Sequence, residues 1–265
     1  MQSSSADPFD MRGTVAVITG GGTGVGKATA TLLSARGANV VVAGRRSLPL
    51  EETVNEIEGL GGRATAIKTD VRRVEDCEAL IDRAVQEYGR VDVLVNNAGG
   101  SKPAQDGVWR EQDWHNMLDL NLTSVWNLSR LAAPHMAREG AGAIVNVSSS
   151  ASWRAMPNHA PYGAAKAGVN SLTENLAAEY AAENIRVNGV VLGVVASEGF
   201  VKGMEMLGRD PEDQGDRVLL GRPGRPHEVA YTILFLASRA ASFITGEMIH
   251  VGGGPRTWSR VEACS

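Results

Sequence analysis

Short apolar runs alternate with amphipathic stretches along most of the chain. The runs have strand length, and the stretches between them repeat apolar residues at helical spacing. Strands are predicted at residues 15–19, 40–43, 64–69, 91–95, 143–147, 185–192 and 244–254. Helices are predicted after the glycines that follow the first strand and at residues 50–60, 74–88, 109–136, 162–183, 200–207 and 227–238. Strands separated by helices favour parallel pairing with right-handed crossovers.

This alternation predicts one α/β domain with a Rossmann-like, doubly wound parallel sheet. The sheet has about seven strands, with helices on both of its faces. The domain is expected to span residues 13–254, between flexible tails at residues 1–12 and 255–265. A chain of 265 residues suits a single substantial core.

Composition narrows the possible partners. The 26 basic and 30 acidic residues give a net charge of −4, and no basic stripe is present, so nucleic acid is not expected. No apolar run approaches the roughly 18 residues of a membrane span. The two cysteines, Cys77 and Cys264, and the five scattered histidines suggest neither a disulfide framework nor a metal site. A cytoplasmic protein is the simplest expectation.

Glycines follow the first predicted strand and precede a helical pattern. Residues 20–26 read Gly-Gly-Gly-Thr-Gly-Val-Gly. Glycines allow close backbone approach to a pyrophosphate, and the N-terminus of the following helix offers N–H groups and a positive dipole end. This stretch predicts a dinucleotide site.

A second chemical pattern lies at residues 145–166. If Tyr162 begins a helix, Lys166 lies one turn further along the same face. A nearby cation favours the phenolate, so Lys166 is expected to lower the pKa of Tyr162 toward useful acidity. Ser149 stands where a buried strand ends, and ligands of open α/β sheets bind at such ends.

Together these motifs resemble the short-chain dehydrogenase/reductase family. The resemblance rests on Thr-Gly-x-x-x-Gly-x-Gly from Thr19 to Gly26, on Asn-Asn-Ala-Gly from Asn96 to Gly99, and on Ser149 at the family's distance before Tyr-x-x-x-Lys. It implies a strand order of 3-2-1-4-5-6-7, reversible hydride transfer between a nicotinamide dinucleotide and a carbonyl or secondary alcohol, and a homotetramer or homodimer. Small residues such as Ala177, Ala178, Ala181 and Ala182 would permit close contact between helices.

The resemblance also implies roles for individual residues. The catalytic set is Asn121, Ser149, Tyr162 and Lys166, with Asn121 bending its helix and holding a water. Asp70 is expected to meet the adenine amino group. Cofactor contacts are expected from Gly20, Thr23, Gly24, Val25, Gly26, Arg45, Arg46, Asp70, Val71, Asn97, Ala98, Gly99, Tyr162, Lys166, Val195 and Ser197.

The cofactor type is indicated by the end of the second strand. A dinucleotide fold places an acidic residue there for the ribose hydroxyls, whereas this chain has Gly44, Arg45 and Arg46. Arginine pairs with a 2′-phosphate through charge-assisted hydrogen bonds. The sequence therefore favours NADP(H) over NAD(H), while NAD(H) stays possible.

The substrate side is less constrained. Ser149, Trp153, Met156 and Tyr162 are expected to line the pocket, beneath a variable segment at about residues 196–225. These residues favour an apolar carbonyl or alcohol, such as a 3-oxoacyl thioester or a steroid. The family's Pro-Gly after the sixth strand is Leu192-Gly193 here, which predicts a looser loop.

Three alternatives share the fold. The protein could be an NAD-dependent alcohol dehydrogenase, or a non-catalytic NADP-binding regulator. It could also be a lyase or epimerase that oxidises its substrate transiently, although this chain leaves little room for the larger substrate region of such relatives.

Overall fold

The computed structural model describes residues 7–101, 104, 107–206, 208, 210–213 and 218–254. Seven strands occur in this part of the chain: β1 Val15–Thr19, β2 Asn39–Gly44, β3 Arg63–Lys68, β4 Val93–Asn96, β5 Gly142–Ser149, β6 Ile185–Leu192 and β7 Met248–Val251. Eight α-helices are described with them: α1 Gly24–Ala35, α2 Ser47–Gly59, α3 Val74–Tyr88, α4 Glu111–Leu118, α5 Ser124–Arg138, α6 Ala160–Tyr180, α7 Glu198–Met206 and α8 Pro226–Ala237.

All seven strands form one parallel sheet in the order β3-β2-β1-β4-β5-β6-β7. The predicted fold class and strand order are therefore confirmed. Neighbouring residues of each central strand point to opposite faces: Ile18 packs in one apolar cluster and Val17 in the other. Burial of both faces explains why the strands are continuous apolar runs rather than alternating patterns.

The predicted helix at residues 109–136 is divided. Helices α4 and α5 are joined by a π-helical turn, Asp119–Thr123, so that the chain stays helical while the hydrogen-bond register slips. Such turns are frequent at functional sites. Asn121 lies at the centre of this one.

Two boundaries differ from the sequence predictions. Met11 is only 2% exposed and its N–H donates to Arg36 O at 2.9 Å, so this part of the predicted tail belongs to the folded domain. Strand β7 is shorter than predicted because Gly246, with φ of +80°, interrupts the extended backbone before it. Residue 207, the predicted end of α7, and the predicted tail at 255–265 lie outside the described residues.

The chain at the end of β6 and in the loop after it is paired through its main chain. Leu192 pairs with Ser149 on one side and with Val251 on the other, so it continues the strand. Beyond it, Gly224 N donates to Val194 O at 2.9 Å and accepts, through its carbonyl, from Ala196 N at 2.8 Å. This main-chain pairing restrains the loop where the family has a proline, and the looser loop stays a prediction. In the described part of the chain, no helix combines the length and apolar character that a membrane crossing requires.

Candidate active site

A cleft of about 520 Å³ opens where β1, β4, β5 and β6 end. The glycine turn after β1 forms one wall, and the residues that follow β5 and β6 form the other. Parallel strands end at the same edge of a sheet, so residues far apart in sequence meet there. Among the described residues that line this cleft, Tyr162 and Lys166 are the ionisable side chains.

Ser149, Tyr162 and Lys166 are brought together as predicted. Ser149 is the last residue of β5, and Tyr162 lies in the first turn of α6 beside Pro161, which suits a helix start. Ser149 and Tyr162 both line the cleft, and the Ser149 side chain favours the phenolate form of Tyr162. Lys166 Nζ lies 5.8 Å from the centre of the Tyr162 ring, on the same helical face.

Lys166 is almost fully enclosed, with 4% of its surface exposed. Its ammonium group donates a hydrogen bond to Val147 O at 2.8 Å. Burial disfavours the charged form and lowers the pKa of Lys166 to about 8. At neutral pH the group is still mostly protonated.

The prediction that Lys166 lowers the pKa of Tyr162 is not met. Burial raises the pKa of the Tyr162 phenol, and the hydrogen bond from Ser149 opposes that rise. The Tyr-x-x-x-Lys spacing predicts that Tyr162 and Lys166 lie close together, but it does not predict that the surrounding protein removes both groups from water. Ser149 is thus the neighbour that favours the phenolate of Tyr162 in this structure.

Asn121 is fully buried in the π-helical turn. Its Oδ1 accepts from Gly100 N, and its Nδ2 donates to Gly100 O, both at 3.0 Å. A Cβ atom on Gly99 would lie 2.8 Å from Asn121 Oδ1 and 3.2 Å from Lys166 Nζ. The turn after β4 therefore needs a glycine there, and Asn121 lies near the ammonium of Lys166.

The turn between β1 and α1 fits an anionic ligand. Gly20 has φ of +66°, which glycine adopts without strain. Thr23 makes no side-chain cap to α1, whose first turn carries no acidic residue. The N–H groups of that first turn are thus available to a pyrophosphate.

Gly26 was predicted to contact the cofactor, but it does not line the cleft. A Cβ atom there would lie 2.2 Å from Gly20 O and 2.5 Å from Asn97 Nδ2. Its function is to let α1 pack against the turn. The Asn97 amide donates to Thr19 O at 2.8 Å, which joins the ends of β1 and β4.

A second arm of the cleft, of about 190 Å³, extends over the ends of β2 and β3. Arg45 and Arg46 line it, and so do Asp70 and Val71. Asp70 is paired with Arg72 at 2.5 Å, which lowers the pKa of the Asp70 carboxyl. The two arms share four residues: Gly20, Thr23, Ala98 and Gly99. Together they form one elongated site.

The remaining cofactor predictions also fall in the cleft. Gly24, Val25, Val195 and Ser197 line the main arm. Ser197 Oγ accepts from Phe200 N at 3.3 Å, at the start of α7, so its hydroxyl serves that helix as well. Sequence reasoning missed Pro49, Leu50 and Leu120, which line the second arm. Pro49 and Leu50 follow Arg46 closely in the sequence, and Leu120 directly precedes Asn121, so this proximity could have identified them as lining residues.

Trp153 and Met156 were predicted to line the substrate pocket, and only Met156 does so. Met156 lines the cleft and is 46% exposed. Trp153 does not line it; its ring instead meets His250 edge-on, with centroids 5.6 Å apart, in a separate hollow between α6 and β7. The partner on β7 is remote in sequence, so spacing around Tyr162 did not predict this orientation.

Comparisons with known proteins agree with this geometry. A family model described as enoyl-(acyl carrier protein) reductase matches residues 20–255. The 3-oxoacyl-(acyl-carrier-protein) reductase FabG of Thermotoga maritima is 38% identical over 244 residues, which is 92% of this chain and 98% of the relative. Cis-4-hydroxycyclohexanecarboxylate dehydrogenase of Sinomonas cyclohexanicum is 41% identical over 249 residues, which is 91% of this chain and 95% of the relative.

A solved structure has the same architecture. It is a 7α-hydroxysteroid dehydrogenase complexed with NADH and 7-oxo glycochenodeoxycholic acid, 34% identical, with a TM-score of 0.87 over 94% of this chain and 98% of its own. The order of the sheet, the residues at its carboxyl edge and these likenesses lead to one conclusion. The chain belongs to the short-chain dehydrogenase/reductase family.

Proposed function

We propose that this protein is an oxidoreductase that transfers a hydride between a nicotinamide dinucleotide and an apolar carbonyl or secondary alcohol. One observation carries the proposal. Ser149, Tyr162 and Lys166 meet in the cleft that also contains the glycine turn, with the Lys166 ammonium 5.8 Å from the centre of the Tyr162 ring. A non-catalytic regulator would not need this arrangement.

The chain's residues supply the proton chemistry. A bound nicotinamide dinucleotide supplies the hydride in reduction and accepts it in oxidation. Ser149 donates a hydrogen bond to the carbonyl oxygen, and Tyr162 gives its phenolic proton to that oxygen as charge develops there. Ser149 also favours the resulting phenolate, and Asn121, near the ammonium of Lys166, suits a proton path to bulk water. Oxidation follows the same steps in reverse.

Removal of the proton donor tests this function. Tyr162→Phe should lower kcat at least about a hundredfold, as is typical of lost acid–base catalysis, and leave cofactor affinity nearly unchanged. The panel contains acetoacetyl-coenzyme A as a 3-oxoacyl thioester, together with cis-4-hydroxycyclohexanecarboxylate and 7-oxo glycochenodeoxycholate, for which a relative and a solved structure are named. Product and oxidised or reduced cofactor must form in equal amounts. Retained turnover in Tyr162→Phe would refute the assignment.

The preferred cofactor is proposed to be NADP(H). Arg45 and Arg46 line the second arm of the cleft and are exposed to solvent, so both are available to a 2′-phosphate. A charge-assisted hydrogen bond contributes about 1.5–3 kcal/mol, which is about tenfold or more in affinity. Tryptophan-to-nicotinamide energy transfer measures binding of NADPH and NADH in parallel.

Arg45→Ala should remove most of that preference by weakening NADPH alone. Arg73→Ala is the control, since that arginine is exposed and pairs with Glu75 and Asp76 outside the cleft. Equal affinity of the wild-type protein for both cofactors, or a preference for NADH, would favour the NAD-dependent alternative.

The apolar character of the substrate is supported by the walls of the main arm. Met156, Leu192 and Phe200 lie near Ser149 and Tyr162 there. Rings and acyl chains bury apolar surface against such side chains. The relatives, which are named for 3-oxoacyl, hydroxycyclohexanecarboxylate and hydroxysteroid substrates, support the same class.

A cytoplasmic homotetramer, or a homodimer, remains the proposed state. Ala177 packs within the subunit, but Ala178, Ala181 and Ala182 are exposed at the end of α6 and the turn after it. Small exposed side chains allow a second copy to approach closely. Analytical ultracentrifugation showing only monomers would refute this assembly.

A further inference from the structure

Asn170 lies on α6 one helical turn beyond Lys166, on the side that faces the end of β5. Its amide is 2.6 Å from Ser148 Oγ and 2.9 Å from Ser152 Oγ. These two serines stand on either side of Ser149, one in the strand and one in the 3₁₀ turn that follows it. One side chain of α6 therefore contacts both flanks of Ser149.

In one orientation of the Asn170 side-chain amide, its nitrogen faces hydrogen-bond acceptors and its oxygen faces hydrogen-bond donors. Its Nδ2 then donates to Lys166 O at 3.1 Å and to Ser148 Oγ at 2.6 Å, and its Oδ1 accepts from Trp153 Nε1 at 3.1 Å. Asparagine offers two donor hydrogens and two acceptor lone pairs, so it can satisfy all these contacts at once. This explains why Trp153 points away from the substrate cleft.

The turn after Ser149 is thus held from two sides. Asn170 binds the indole N–H of Trp153, and the Trp153 ring packs edge-on against His250 of β7. Ser149 is part of the same turn, because its Oγ accepts from Ala151 N at 3.2 Å. A change in the position of the turn would move the Ser149 hydroxyl relative to Tyr162.

We propose that Asn170 is a positioning residue for the reaction, and that with Trp153 it fixes Ser149 against Tyr162 and Lys166. The inference rests on the proposed function, because it assigns the geometry of that site. Catalytic groups must be held within about 0.5 Å of the productive geometry, and a displacement of about 1 Å can cost a hundredfold in rate.

Asn170→Leu tests the proposal, since leucine keeps most of the volume but makes none of the hydrogen bonds. The matched control is Asn175→Leu on the same helix, where the exposed amide donates only to Ser171 within its own helix among the described contacts. With the panel compound that the wild-type protein turns over fastest, Asn170→Leu should lower kcat about 10- to 100-fold. Cofactor affinity should stay within about twofold, and the control should match wild type. Equal kcat values for the two variants would overturn the proposal.

Trp153→Phe provides a milder variant that keeps the ring beside His250 and loses the indole N–H. It should lower kcat by a smaller factor than Asn170→Leu. In the double variant the Trp153 change should cost nothing further, because the two side chains act through one hydrogen bond. Full additivity of the two losses would contradict the coupling.

A readout without substrate separates this proposal from the proposed function. The hydrogen bond from Ser149 lowers the pKa of Tyr162, and the charged group near that ring is Lys166, from the same helix. The ¹³Cζ signal of labelled Tyr162, assigned by its loss in Tyr162→Phe, should titrate at higher pH in Asn170→Leu than in wild type or Asn175→Leu. An unchanged titration in folded Asn170→Leu would overturn the positioning role. A wild-type protein without turnover would instead refute the proposed function, and the titration alone would then decide the role of Asn170.

Discussion

The buried ammonium of Lys166 should make the protein less stable at neutral pH than it would be without that charge. Its pKa falls from 10.5 to about 8, with burial as the cause. One pKa unit corresponds to about 1.4 kcal/mol, so the charged form costs the folded state roughly 3 kcal/mol. This cost is relative to a lysine that is neutral in both states.

The sign follows from proton binding. Between pH 8 and 10.5 the unfolded chain keeps the Lys166 proton and the folded protein does not, so the free energy of unfolding rises with pH across that window. Below pH 8 both states are protonated and the full cost is present. Lys166→Met removes the titration altogether. The stability of wild type relative to Lys166→Met should therefore increase by about 2–3 kcal/mol from pH 7 to pH 10.

Urea denaturation of both proteins at several pH values, without cofactor and at one protein concentration, measures this difference. The comparison is insensitive to the loss of the hydrogen bond to Val147 O, because that loss shifts the variant equally at every pH. Lys68→Met, at the exposed end of β3, is the control and should follow wild type. A difference between wild type and Lys166→Met that stays constant from pH 7 to pH 10 would refute the reasoning.

Two further predictions follow from close packing and burial. Gly26→Ala should lose cofactor binding or destabilise the fold by several kcal/mol, because its Cβ would lie 2.2 Å from Gly20 O. Gly59→Ala is the control and should be tolerated, because nothing lies within 4 Å of the added Cβ. Thermal unfolding and cofactor titration compare the two variants. Cys77 should resist a thiol reagent such as 5,5′-dithiobis(2-nitrobenzoate) at pH 8 until the protein unfolds, since burial raises the pKa of its thiol to about 12. Rapid labelling of Cys77 in the folded Cys264→Ser variant would contradict the second.

Most strands and helices could be predicted because their information is local, whereas the order of the strands in the sheet was implied by the family resemblance. The central strands are apolar runs bounded by turn residues, and the helix Val74–Tyr88 and the strand Ile185–Leu192 have the predicted ends. The meeting of Ser149, Tyr162 and Lys166 was accessible for a similar reason, since helical spacing and the end of one strand place them.

Other features depend on contacts between residues far apart in the sequence, which the spacing of residues within a motif does not predict. Met11 is buried because the chain before β1 returns to Arg36, and Trp153 turns away from substrate because Asn170 and His250 hold it. The role of Asn170 was hidden for the same reason. An asparagine inside a helix is usually a surface residue, and only the position of the turn after β5 distinguishes it from Asn175.

The ionisation of the Tyr162 and Lys166 pair was the part of the mechanism least accessible from sequence. Spacing predicts that a cation favours the phenolate, but enclosure shifts each group toward its neutral form: the pKa of Tyr162 rises and that of Lys166 falls to about 8. The neighbouring Ser149 side chain offsets part of the rise for Tyr162. The site is thus suited to hold the proton on Tyr162 until a substrate oxygen accepts it.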